Sequence, residues 1–122
     1  MRKILIVDDN KYIKIALSIL FEESGYESST ADDGAAALII IKNEKPSLVF
    51  IDKKLPDYDG IKLLTEIKSI DPGIPVIMLT AFSEQSYADL ALKSGALAFI
   101  TKPFNNEEVL KIVENALTLK EC

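Results

Sequence analysis

The polar residues that follow the apolar runs of this chain have types suited to phosphoryl chemistry. Asp8 and Asp9 follow Ile4-Leu5-Ile6-Val7, and Asp52 follows Leu48-Val49-Phe50-Ile51. Thr80 follows Val76-Ile77-Met78-Leu79, and Thr101-Lys102 follows Leu97-Ala98-Phe99-Ile100. Three carboxylates brought to one place repel one another and raise each other's pKa unless a cation sits among them. Oxygen donors without histidine or cysteine favour a hard cation, and Mg²⁺ keeps several waters beside one or two carboxylates. Lys102 and Thr80 would add an ammonium and a hydroxyl, the groups that hold phosphoryl oxygens. Asp52 is the candidate nucleophile, because an ionised aspartate forms an acyl phosphate without a general base.

Taken singly, each residue has an ordinary explanation. An acid after a strand is usually a helix cap or a solvated loop residue, Thr80 suits a turn, and Lys102 suits a surface. Four such residues at four strand ends make accident a poor account. Composition narrows the chemistry further. The 122 residues contain no histidine, which removes His-based triads, His-ligated zinc and an internal phosphohistidine donor. The only cysteine is Cys122, so no intrachain disulfide or thiolate cage can form. A net charge of −5 argues against a nucleic-acid surface. No apolar run is long enough for a signal peptide core or a membrane span, so a cytoplasmic protein without membrane contact is expected.

The elements that must position these residues alternate along the chain. The four apolar runs are rich in β-branched residues and read as strands buried on both faces, as in a parallel sheet. Tyr26 to Thr30 is a more polar strand suited to an edge. Ile13, Leu17, Leu20 and Phe21 form a helical stripe that Gly25 stops, and Ile61, Leu64 and Ile67 form another that Asp71-Pro72-Gly73 ends. Val109, Ile112, Val113, Ala116 and Leu117 make the clearest stripe, with Asn105 as cap and Glu108 three residues on. Ala35 to Ile41 is helical and apolar almost all round, so part of Ile39-Ile40-Ile41 must lie off the buried face. Ser83 to Ser94 has only a weak stripe of Ala88 and Leu92. The expected architecture is one α/β domain over residues 1–122, a doubly wound five-stranded parallel sheet in order 2-1-3-4-5, flavodoxin-like. In such a sheet every C-terminal strand end lies on one edge, which gathers Asp8, Asp9, Asp52, Thr80 and Lys102.

Several motifs, in order, carry a resemblance through essentially the whole chain. Val7-Asp8-Asp9-Asn10, Ile51-Asp52, Leu55-Pro56-Asp57-Tyr58-Asp59-Gly60, Leu79-Thr80-Ala81 and Ile100-Thr101-Lys102-Pro103-Phe104 resemble the receiver domain of bacterial response regulators. Within that family the sequence looks most like single-domain sporulation-phosphorelay receivers and receivers of enhancer-binding regulators. The resemblance implies that Asp52 accepts a phosphoryl group from a histidine on a sensor kinase or phosphotransfer protein. It implies Mg²⁺ ligation by Asp9 directly, by Asp8 through water, by Asp52 and by the Lys54 backbone carbonyl. Thr80 and Lys102 then correspond to the groups that close on the phosphoryl group, and Phe99 to a switch aromatic that moves with Thr80. Such a domain promotes its own phosphorylation and dephosphorylation and is otherwise no enzyme. A downstream protein or a fused output domain reads the altered surface of the fourth helix, fifth strand and fifth helix.

Two positions depart from the commoner family pattern. Lys53-Lys54 stands where apolar or amide residues are frequent; one reading has both side chains facing solvent, and the other has Lys54 overhanging the phosphoryl group. Phe99 lacks the hydroxyl of a tyrosine, so its inward state would rest on packing alone. Three other readings remain open on sequence. An aspartyl-phosphate phosphatase needs a second Asp where Lys54 stands. A flavodoxin-type cofactor module needs a phosphate loop where Asp8-Asp9 is anionic. An inert receiver-like module would not need all five site positions filled.

Overall fold

The computed structural model of the protein describes residues 2–81 and 85–121. Strands β1 (Lys3–Val7), β2 (Glu27–Ala31), β3 (Leu48–Asp52), β4 (Val76–Ala81) and β5 (Ala98–Lys102) alternate with five helices. The helices are α1 (Lys11–Glu23), α2 (Gly34–Glu44), α3 (Gly60–Ile70), α4 (Gln85–Lys93) and α5 (Asn106–Glu121). All strand pairs are parallel and the order is β2-β1-β3-β4-β5, the flavodoxin-like arrangement expected from the alternation.

Side-chain alternation along the strands divides the core in two. Leu5, Val7, Val49, Ile51, Val76 and Met78 pack beneath α2, α3 and α4. Ile4, Ile6, Leu48, Phe50, Ile77, Leu79 and Ile100 pack beneath α1 and α5. Phe50 stacks at a tilt on Phe21 of α1, ring centres 5.4 Å apart. Truncating such a fully buried phenylalanine to alanine costs about 3–5 kcal/mol.

Each well-defined helix start is capped by a short polar side chain. Asn10 accepts from the amides of Tyr12 and Ile13, Asp33 from Ala36, Asp59 from Ile61, and Asn105 from Glu108. These bonds satisfy amides that a helix cannot satisfy internally. Gly25 follows α1 at a φ of 94°, the left-handed region expected of a stop residue.

Three details differ from the periodicity reading: β2 runs Glu27–Ala31, one residue later than Tyr26 to Thr30, and the other two lie in β5 and α4. β5 starts at Ala98, leaving Leu97 at an exposed entry to the strand. In α4 the buried pair is Ala88 and Ala91, whereas Leu92 is 40% exposed. Two small residues at i, i+3 let this helix lie close to the sheet, and a size-blind count of apolar residues picks the bulkier Leu92 instead. Ser83 and Cys122 lie outside the described residues. On α2, Ile41 is buried, Ile40 half-buried and Ile39 60% exposed, as an all-apolar helix on one face of a sheet requires.

Candidate functional site

Strand register alone brings the acidic residues together. Val7 pairs with Ile51, so the next residues, Asp8 and Asp52, leave adjacent strands side by side. Leu79 pairs with Asp52, which puts Thr80 one residue beyond it on β4, and Ala81 pairs with Lys102 on β5. Carboxylate oxygens of Asp8, Asp9 and Asp52 lie within 4.8 Å of one another. The Lys102 Nζ donates to Asp52 Oδ1 at 2.7 Å and to Asp8 Oδ2 at 3.3 Å. The peptide bond that follows it, Lys102–Pro103, is cis.

The three carboxylates occupy unlike environments. Asp8 is completely buried, Asp52 is half-buried and Asp9 is exposed. Burial pushes the Asp8 carboxyl above its ordinary range; the Asn10 amide, donating at 2.8 Å, pulls it back, and the Asp52 charge pushes it up again. Lys102 is held above its ordinary value: burial opposes its charge, but the bond to Asp52 and the charges of Asp52 and Asp8 outweigh that. Three carboxylates therefore stand against one ammonium, which pairs with Asp52 and Asp8, and the cluster keeps a net formal charge of two negatives. That imbalance, with an all-oxygen donor set at one solvent-open corner, fits a hard divalent cation such as Mg²⁺.

The remaining sequence-derived positions are arranged around this cluster. Thr80 is 1% exposed, and it and Asp8 are the buried polar side chains among the described residues. Lys54 is exposed, and its amide faces Asp52 Oδ2 at 3.4 Å. Lys53 does not simply face solvent; its ammonium lies 4.9 Å from the centre of the Tyr87 ring. Phe99 is half-buried against the α2–α4 side of the core, opposite Met78 in the register.

Several residues that shape the site have roles the sequence did not assign, although Asp57 and Gly60 lie within the Leu55–Gly60 motif. Gly60 is needed because a Cβ there would lie 2.8 Å from the Asp52 carbonyl oxygen and 2.9 Å from that of Lys53. Its own amide donates to the Lys53 carbonyl at 2.7 Å, folding the loop after β3 back on itself. Asp57 in this loop accepts from the amides of Gly34 and Ala35 at 2.7 and 3.0 Å, tying the loop to the start of α2. Tyr87 of α4 touches the same loop from the other side. Partners 22 to 34 residues apart in sequence leave no local pattern.

Comparison with known proteins agrees with this geometry. Residues 4–114 match the model of the response regulator receiver domain. The chain is 42% identical to sporulation initiation phosphotransferase F of Bacillus subtilis over 97% of this chain and 95% of that protein. It is 38% identical to regulatory protein AtoC of Escherichia coli, covering 98% of this chain but 26% of that one. The crystal structure of the receiver domain of NtrX from Brucella abortus superposes with a TM-score of 0.92 at 37% identity, over 94% of this chain and 98% of that one. No described helix is long and apolar enough to cross a membrane. An acidic pocket of this kind is consistent with a phosphoacceptor site, and the chain belongs to the response regulator receiver family of two-component signalling.

Proposed function

We propose that residues 1–122 act as a phosphoryl-accepting switch in which Asp52 takes a phosphoryl group from a phosphohistidine on a sensor kinase or phosphotransfer protein. The observation that carries this reading is the Lys102 ammonium shared between Asp52 and Asp8 inside a three-carboxylate cluster. An Asp52 carboxylate oxygen forms the new bond to phosphorus as the phosphorus–nitrogen bond of the donor breaks. The electron pair leaves with the imidazole nitrogen. Asp8, Asp9, Asp52 and the Lys54 carbonyl would hold Mg²⁺, which supplies positive charge against which phosphoryl oxygens can approach carboxylates. Lys102, already 2.7 Å from the acceptor, pairs with a phosphoryl oxygen, and the Thr80 hydroxyl closes from β4.

The partner approaches beside α1, whose N-terminus borders the cluster. Tyr12, Ile15 and Ile19 are exposed there at spacings that share one helix face, an apolar landing for another protein. Movement of Thr80 and Phe99 then alters the surface of α4, β5 and α5, which a downstream protein or a fused output domain reads. The protein promotes its own phosphorylation and dephosphorylation and turns over no other substrate.

Incubation with acetyl phosphate, with and without Mg²⁺, followed by intact mass, tests the proposal. A gain of one phosphoryl group that requires Mg²⁺ and is lost in Asp52→Asn is expected. No gain with any phosphodonor would leave an inert interaction module.

A further inference from the structure

The hydroxyl of Tyr87 joins α4 to the backbone on both sides of the loop that follows Asp52. It accepts from the Ile61 amide at 3.1 Å and stands 3.3 Å from the Lys53 carbonyl and 3.4 Å from Asp59 Oδ1. Its single hydrogen serves one of those two acceptors at a time. Burial and then the Asp59 charge push the phenol up to about 12, so it stays protonated and able to donate.

Neither backbone group depends on Tyr87. The Ile61 amide also donates to Asp59 Oδ2 at 3.1 Å, and the Lys53 carbonyl already accepts from the Gly60 amide at 2.7 Å. The loop is satisfied without the hydroxyl. What Tyr87 adds is a connection across 26 and 34 residues to a different helix.

That connection reaches the acceptor through one rigid unit. The Lys53 carbonyl and the Lys54 amide are opposite ends of a single planar peptide. The amide end faces Asp52 Oδ2 at 3.4 Å, and the carbonyl end is the one Tyr87 holds. A new group on Asp52 that re-aims the Lys54 amide must tilt the Lys53 carbonyl with it. The Lys53 ammonium over the Tyr87 ring ties the same residue to the same helix a second time.

We propose that Tyr87 is a positioning residue through which the Lys53–Lys54 peptide couples the state of Asp52 to the seating of α4. This rests on the reading of Asp52 as phosphoacceptor and is a route separate from Thr80 and Phe99. In the unphosphorylated protein the joint is closed, and phosphorylation opens it.

Hydrogen exchange on the full chain, with intact mass run in parallel, tests this with Tyr87→Phe. That variant keeps the ring and its packing, and Tyr26→Phe, which packs on the α1 and α5 side of the core, serves as the control for losing a hydroxyl. Without phosphodonor, the α4 amides of Tyr87→Phe should exchange about fivefold faster than wild type, as loss of one connecting hydrogen bond implies, with β1 and β3 unchanged. With acetyl phosphate and Mg²⁺, wild-type α4 should rise to the variant's rate while the variant changes little. A phosphoryl gain in both proteins with equal α4 exchange, or with an undiminished α4 response in Tyr87→Phe, overturns the joint and leaves the phosphoacceptor reading intact. No phosphoryl gain in the wild type overturns that reading, and the joint with it.

Discussion

Two aspartates on the same edge of the sheet show opposite uses of a carboxylate. Asp8 is fully buried, faces Asp52, and is pushed above its ordinary range by loss of water. Asp57 lies exposed in the loop after β3, where the Gly34 amide first and the Ala35 amide as well pull it below the ordinary 3.8. The helix start supplies donors and a favourable dipole to Asp57, whereas Asp8 is crowded by a like charge. One carboxylate holds the fold together. The other is a local cost that the Asn10 amide and the Lys102 ammonium offset only in part, which is how a crowded, buried carboxylate differs from a cap.

Substitutions should separate the two uses. The largest effect is expected from Lys102→Met, which leaves Asp8 and Asp52 without their shared ammonium. In Mg²⁺-free buffer it should lose about 2 kcal/mol in denaturant melts, less than a fully buried pair would lose because Lys102 is partly open to water. Millimolar Mg²⁺ should return part of that loss. Asp8→Asn should move the other way, gaining about 1 kcal/mol without Mg²⁺ because a crowded charge is removed. The same variant should lose most of the stabilisation that Mg²⁺ gives the wild type, a quantity set by ligand concentration over Kd. An Asp8→Asn protein that is less stable than wild type in metal-free buffer would sink the contrast.

Asp57→Asn should be destabilised at neutral pH, by an amount smaller than either of those changes, and with a pH signature. A carboxyl lowered in the folded state stabilises above its unfolded pKa and loses that contribution as pH falls through the folded value. The gap in melting temperature between wild type and Asp57→Asn should therefore be full at pH 7, begin to shrink near 3.8, and close only once the pH has fallen below the lowered folded value. A gap that persists at that acidity would show that the carboxylate charge is irrelevant to the pin. The smallest effect is expected at Lys54→Ala. If the exposed Lys54 side chain overhangs the phosphoryl group, phosphoaspartate lifetime should change severalfold, and an unchanged half-life disposes of that idea.

Much of this molecule was legible before any coordinates. The β-branched runs became β1, β3, β4 and most of β5, and the stripes of α1, α3 and α5 face the core, with Ile13, Ile61 and Ile112 half-buried and Leu63 joining Leu64 and Ile67. Asn105 caps α5 as its spacing to Glu108 suggested. The weak point was α4, where Ala91 and not Leu92 completes the buried pair. Periodicity counts apolar residues without regard to size, and a helix seated by alanines is invisible to it. Gly60 stood inside a recognised motif, but its necessity lies in a clash with the backbone of Asp52 and Lys53.

The sequence by itself determined that the acidic cluster forms at the strand ends. A continuous apolar run must be buried, the polar residue after it must emerge, and parallel strands emerge on one edge. It also determined that the donors are oxygens, since there is no histidine and the lone cysteine is terminal. Tertiary structure decided which of the paired acids is buried and which is exposed. It also placed Lys102 on Asp8 across 94 residues, and brought Asp57 to α2 and Tyr87 to the loop after Asp52. Those outcomes depend on distances between elements, and periodicity, a property of one element at a time, carries no information about them.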